Sequence, residues 1–332
     1  MTDDTTLIVP STLPTFDLVA AIADQAATRH ALTTYHEGLA AETLRRQQAD
    51  LALFASFLHA TTGIEAGDFF TDLSAWQPVT YGLLDAWKRW QLAQGYALGS
   101  VNVRLATAKA YCKLAHDAGL LSTEAYVRIQ GVKGYKGKQA HHVDEKREVT
   151  RIGSKKERWL SVSPAHAALL KREAGGDSPL ATRDLLLVCL LVDHGLRIGE
   201  AASLCIADID LDTGQFTFYR QKVHKTQTHD MEPDTLRAAM RYLPGLPVEQ
   251  TLLFDGISTR QLRARIQLLG KRAGIEHLAP HDLRHAWATD AARNGTDLKA
   301  LQDAGGWASP AMPLHYIESA KIANAGVKLS RR

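Results

Sequence analysis

A chain of 332 residues with 45% hydrophobic and 23% charged residues has room for two domains that each bury a core, and its composition excludes a disordered or fibrous protein. No run of eighteen apolar residues occurs, and Met1-Thr-Asp-Asp-Thr-Thr lacks the basic-then-apolar order of a secretory signal, so the expected location is cytoplasmic, with no membrane partner. Cys112, Cys189 and Cys205 are odd in number and widely spaced among apolar neighbours, which reads as reduced core thiols.

Residues 1–34 have no clean period and read as an N-terminal arm. From Ala40 the pattern turns helical: Leu44, Leu51, Phe54, Ala55 and Leu58 share a stripe, leaving Arg45, Arg46, Gln47 and Asp50 off it. Thr80 is placed to cap a helix carrying Leu83, Leu84 and Trp87. Ser100 is placed to cap another carrying Leu105, Ala108, Cys112 and Ala115, ending near Gly119. Nothing from 40 to 130 alternates with period two, so residues 35–135 read as an all-helical bundle.

Glycines 131, 134, 137 and 153 lie among charges with no hydrophobic period, which marks a linker over 136–160. From Lys133 to Arg158, nine basic residues face four acidic ones; this net +5 exceeds the +3 of the whole chain. It suits either a solvated linker or a strap along a polyanion. The second domain, 161–332, opens at Ser163-Pro164, a cap followed by proline at the first helical position. Helices are expected near 180–194, 197–204, 234–243, 258–273, 280–294 and 297–304. A hairpin of strands 206–211 and 215–220 and a third strand at 225–232 lie between them. The expected fold is mainly α with a small antiparallel sheet.

Three segments carry chemistry. In His194-Gly-Leu-Arg-Ile-Gly-Glu200, Gly195 ends one helix in a left-handed cap and Arg197 opens the next, a rigid mounting for an anion-binding guanidinium; a solvated arginine paired with Glu200 is the plainer reading. In Pro280-His-Asp-Leu-Arg-His285, His281 and Arg284 share a helix face; His281 and His285 have metal-ligand spacing but no third ligand of fitting type. In the stretch from Leu301 to Ile317, a glycine pair and Trp307 precede Tyr316 by nine residues, on two short helices broken by Pro310 and Pro313.

In that order and at those separations, Arg197, His281 with Arg284, Trp307 and Tyr316 resemble the signature of the tyrosine site-specific recombinases, the phage integrase, Xer and Cre-like enzymes. The resemblance implies a lysine on the hairpin between the arginine boxes. In Arg220-Gln-Lys-Val-His-Lys225, Lys222 aligns with it and Lys225 is the alternative.

What the resemblance implies is a helical core-binding domain at 35–135 joined by the basic linker to a catalytic domain at 161–332 of the DNA breaking–rejoining fold. Tyr316 would attack a phosphodiester to give a 3′-phosphotyrosine. Arg197 and Arg284 would clamp the phosphate and Glu200 orient neighbours; His281 would serve as base or relay, Lys222 as acid to the 5′ oxygen, and Trp307 as an indole donor in place of the histidine many members use. The covalent link conserves bond energy, so no cofactor or metal is expected.

The expected partners are double-stranded DNA with inverted-repeat sites, further copies forming a synaptic tetramer, and an accessory protein in some systems; on DNA the chain would be nucleoid-associated. Candidate DNA contacts are Arg104, Lys109 and Lys113 in the first domain, Lys136, Lys138, Lys155 and Lys156 in the linker, and Arg260, Arg263 and Arg265 in the second. The competing readings are a type IB topoisomerase, which shares the tyrosine chemistry, and a catalytically inactive DNA-binding relative.

Overall fold

Side-chain caps set several helix starts in this chain, by giving the orphan N–H groups of the first turn an acceptor. In the computed structural model, which describes residues 16–65, 67–152 and 159–320, the chain divides into two compact units, 1–155 and 156–332. The described residues of the first unit form α1 (Phe16–Glu37), α2 (Ala41–Thr62), α3 (Tyr81–Ala93), α4 (Leu98–Asp117), α5 (Thr123–Gln130) and α6 (Gly137–Asp144). Thr80 caps α3 as expected, and Ser122 caps α5. The start of α4 differs: its N-cap is Ala97, and Ser100 lies in the first turn.

The core of this unit is aromatic. Phe54, Trp76 and Trp87 are fully buried, with Phe54 and Trp87 rings 4.9 Å apart between α2 and α3. Two residues expected on the polar side of α2 are buried instead. Gln47 donates to the Tyr35 hydroxyl at 2.8 Å, and Asp50 accepts from Arg46 at 2.7 Å and Thr107 at 2.9 Å. Burial of such groups is tolerated because each is bonded, and periodicity cannot anticipate the partners.

Two stretches read from sequence as arm and linker carry helices. Helix α1 starts at Phe16, and its partly buried Ala31, Leu32 and Tyr35 pack on the first core, whereas Phe16, Leu18, Val19 and Ile22 are exposed, which erases the amphipathic pattern. Helix α6 buries no residue, so it has no stripe to read. After it, Arg147 bonds the carbonyls of Leu92 and Tyr96, tying this stretch to the end of α3.

The second unit runs α7 (Pro164–Ala174), α8 (Pro179–Val192), α9 (Ile198–Ala202), β1 (Ile209–Asp210), β2 (Gln215–Arg220), β3 (Lys225–Asp230), α10 (Pro233–Tyr242), α11 (Thr259–Arg272), α12 (Pro280–Arg293), α13 (Leu298–Gly305) and α14 (Ala311–Ala320). Serine caps with proline at the first position open α7 and α8, and Ser258 with Gln261 forms a reciprocal capping box on α11. The sheet is antiparallel in the order β1-β2-β3, with Phe216 opposite His229 and Arg220 opposite Lys225. The first strand is shorter than expected because residues 206–208 form a 3₁₀ turn. Pro313 does not break a helix: it sits in the first turn of α14, where its missing N–H leaves no bond unmade.

Helix α8 is the hub, with Leu186 to Leu191 fully buried against its neighbours. Cys112 in the first unit and Cys189 here are buried thiols pushed up to about 12 by desolvation, and so are unreactive. No described helix is long and apolar enough to cross a membrane.

At the end of α8, buried His194 meets the Thr235 hydroxyl at 3.1 Å and stands edge-on to Phe216; His229 packs on the same aromatic pair. Burial holds their imidazoles down at about 3 and about 4. Between those values and the ordinary 6.5 the unfolded chain binds more protons than the folded one, so stability falls as pH drops through this window, by up to about 1.4 kcal/mol per pH unit for each histidine. Urea unfolding of the chain should show a midpoint that declines from pH 7 to pH 5; a flat midpoint would contradict the buried neutral state.

Candidate active site

Buried guanidinium groups need acceptors, and the second unit supplies them with one carboxylate and several backbone carbonyls. Glu200, in the first turn of α9, accepts from the Arg197 backbone N–H at 2.7 Å and from its guanidinium at 2.6 Å. Its other partner is Arg220, at the end of β2, whose Nη1 lies 2.7 Å from the same carboxylate. Arg220 is completely buried; it also donates to the Ala304 carbonyl at 2.6 Å and to Gln227 across the hairpin. Gln227 in turn donates to the Asp303 carbonyl, so β2, β3 and the end of α13 are laced together. Despite its burial, Glu200 is held below the ordinary carboxylate range by Arg220 and then by its bonds with Arg197.

Arg284, on α12, is 2% exposed and donates to the carbonyls of Gly195 and Gly305. The Trp307 ring lies across its guanidinium, 4.6 Å from centroid to carbon. Desolvation, followed by the nearby charges of Arg197 and Arg220, pushes Arg284 down to about 9, still above neutrality, so it stays cationic. Glu200 pairs with Arg197 and Arg220 while Arg284 is held by carbonyls, so the three guanidinium groups carry more positive charge than this carboxylate offsets.

The backbone around this cluster is built for close approach. Gly195 takes φ +62°, and a Cβ there would run into the Trp287 ring. Gly306, at φ +58°, caps α13, and a Cβ on it would strike the Arg220 side chain. Only glycine fits either place.

Tyr316, on α14, is 2% exposed, and its hydroxyl lies 2.6 Å from Nδ1 of His285. Burial pushes the phenol up to about 12, with Arg284 opposing. The partner is thus His285, whereas His281, the expected base, is on the exposed side of α12 with its ring centroid 4.3 Å from that of His285. His281 is lowered from the ordinary histidine value by desolvation, then by Arg284, with Arg197 and Lys222 contributing.

Lys222 stands exposed in the β2–β3 turn, and its charge reaches His281; that of Lys225 is felt by Asp303 instead. Arg197, Glu200, Arg284, His281, Lys222, Trp307 and Tyr316 are accordingly brought into one neighbourhood. Arg220 and His285 join them without having been assigned a part in it from the sequence. Arg220 had a faint signal as the last inward position of an alternating strand; His285 had one only as a possible metal partner of His281.

The candidate DNA contacts separate into two groups. Arg104 lies over the Tyr96 ring and bonds Gln91, Lys109 donates to the carbonyls of Gln130 and Val132 at the end of α5, Lys113 pairs with Asp117, and Arg265 pairs with buried Asp184 at 2.5 Å. These four have partners within the chain. Lys136, Lys138, Arg260 and Arg263 are exposed and take part in no ion pair among the described residues. Lys155 and Lys156 lie outside the described residues.

Comparison with known proteins gives a consistent picture. The Phage integrase family profile matches residues 164–322. The tyrosine recombinase XerC of Xanthomonas campestris pv. campestris is 28% identical over 255 residues, covering 71% of this chain and 78% of the relative. XerD of Neisseria meningitidis serogroup B is 31% identical over 163 residues, 46% of this chain, which spans only 55% of that relative's length. Among solved structures, a lambda integrase dimer bound to a COC' core site matches with a TM-score of 0.60 at 14% identity, over 92% of this chain and 96% of that one. A Tn1549 transposon integrase in complex with transposon right end DNA matches with a TM-score of 0.57 at 16% identity, over 87% and 94%. At such identities the structural likeness shows the fold.

The Glu200 arrangement generates a stability prediction. Glu200→Ala would leave the wholly buried Arg220 without its counter-charge, which should cost about 3–5 kcal/mol. Chemical unfolding measures it, and a loss under 1 kcal/mol would mean that the pair is not what holds the hairpin to α9.

Proposed function

The chain belongs to the phage integrase family of tyrosine recombinases, and from this premise we propose that it performs site-specific DNA recombination through a 3′-phosphotyrosine link formed by Tyr316. The observation that carries this reading is the convergence of Arg197 at the N-cap of α9, Arg284 within α12 and Tyr316 within α14 around an anion-deficient cluster.

A phosphodiester entering this cluster would supply the missing negative charge. Attack raises the charge on its non-bridging oxygens, and Arg197 and Arg284 can share it through directed N–H donors that are in position before the reaction. The phenol O–H bond breaks as the O–P bond forms, and the P–O5′ bond breaks as the 5′ oxygen takes a proton. Lys222, at the tip of a hairpin, is suited to deliver that proton, and His281 to relay the one leaving the phenol. Trp307 fixes the Arg284 plane by lying across it.

Glu200 and Arg220 act one step back, by setting Arg197. Exchange between two duplexes needs two cleavages on each, hence four protomers on paired inverted repeats. The first unit would contribute backbone contacts from Lys136 and Lys138, and the second from Arg260 and Arg263.

A duplex selected by the full chain from a random pool provides a substrate. On it, Tyr316→Phe should bind as tightly as the parent and form no covalent adduct on a denaturing gel, while Arg284→Ala should lower adduct formation by roughly 100-fold or more. An adduct with the phenylalanine variant would overturn the reading. Arg260→Ala with Arg263→Ala should weaken binding and reduce its log–log salt slope by about 2, whereas Arg265→Ala should mainly destabilise the fold; equal salt slopes for the double variant and the parent would remove the two arginines from the interface.

A further inference from the structure

We propose that His285 is a positioning residue for the nucleophile: its imidazole holds the Tyr316 hydroxyl, and Trp159 holds the imidazole. This rests on the reading of Tyr316 as the nucleophile and adds to it a residue outside the arginine, lysine and His281 set.

The geometry is specific. His285 is 4% exposed, and its Nδ1 lies 2.6 Å from the phenol oxygen, a short bond between two groups that are both withdrawn from water. Its ring lies face to face with the Trp159 indole, centroids 4.4 Å apart and planes 12° from parallel. His281 closes another side, edge-on at 4.3 Å. The imidazole therefore has packed neighbours on its face and edge, and its Nδ1 points at Tyr316.

The ionisable groups facing it are His281, Asp282 and Arg284 on its own helix and His315 and Tyr316 on α14. Burial first, then His281, pushes His285 down to about 4, so it is neutral at pH 7 and has one bare and one protonated nitrogen. A neutral ring can bond the hydroxyl without placing another cation beside Arg284. Such a low basicity also argues that His285 orients the phenol rather than removing its proton in the resting site.

Trp159 ties the arrangement to the segment that precedes α7. It is 52% exposed and lies at the start of the described part of the second unit. Leu160 beside it donates its backbone N–H to Asp282 of α12 at 2.9 Å, which seats this stretch against the same helix. A shift of Trp159 would free the His285 plane and with it the direction of the Tyr316 hydroxyl.

The test is single-turnover adduct formation on the selected duplex, made with an ordinary phosphodiester and with a 5′-bridging phosphorothiolate, whose thiolate leaves without a protonating acid. His285→Ala should be slowed by about 100-fold on both substrates, the order expected when a nucleophile loses its alignment. Lys222→Ala should be slow only on the oxygen substrate. Asn places an amide atom close to the site of Nδ1, so His285→Asn should recover most of the rate, and His285→Gln should not.

Trp159→Ala should fall between the parent and His285→Ala, with Trp159→Phe restored. An alanine variant as fast as the parent overturns the proposal, as does a rate loss shared equally by Asn and Gln. Should the alanine variant lose DNA binding, His285→Gln carries the test, and a parental rate there also overturns it. Failure of the parent to form an adduct on either substrate would instead remove the nucleophile reading, and this inference with it.

Discussion

Three guanidinium groups around one carboxylate are the constraint on which the second unit's architecture depends. Arg220 cannot be buried at the end of β2 without Glu200, and Glu200 cannot occupy the first turn of α9 without the two arginines that hold it ionised. The carbonyls of Gly195, Ala304 and Gly305 accept from the remaining donors; Gly195 follows the end of α8, and α13 ends at Gly305. Arg220 and Arg284 are each held by bonds within the chain, and Glu200 offsets only part of the positive charge. In the proposed function, a phosphodiester would supply the missing anion.

The arrangement separates positioning from reaction. Arg220, Glu200 and Gln227 are bonded to other protein groups on each side and serve to fix the hairpin. Arg197 retains some exposure, and His281 and Lys222 face outward, where a substrate would arrive. Tyr316 lies within, its oxygen held by His285. In the resting site this phenol is buried and neutral, and the proposed attack would require Arg284 and the other cations to offset that burial.

Much of this was legible in the sequence, for identifiable reasons. The boxes around Arg197, Arg284 and Trp307 are local, and their helix caps, glycines and spacings are written in adjacent residues. The start of the second unit's first helix followed from Ser163-Pro164. What was not legible depends on contacts between distant segments. Whether His281 or His285 meets Tyr316 is decided by how α14 docks on α12, and both histidines lie in one short motif. Arg220 becomes structural through partners such as Glu200 and the carbonyl of Ala304, the latter 84 residues away. The partners of Arg104, Lys109 and Arg265 were not legible because Asp50, Val132 and Asp184 are far from them in sequence. The helical content of 137–144 was hidden by the absence of any buried side chain.

The central claim is that the unmatched guanidinium charge seats a phosphate in line with the Tyr316 oxygen. A structure of the chain bound to its selected DNA, with a vanadate bridging a nick as a mimic of the transition state, measures this most directly. The account predicts vanadate oxygens within hydrogen-bonding reach of both Arg197 and Arg284, and the phenol oxygen of Tyr316 at the apical position. A vanadate held elsewhere, or an apical ligand other than Tyr316 from the same or a neighbouring copy, would contradict it.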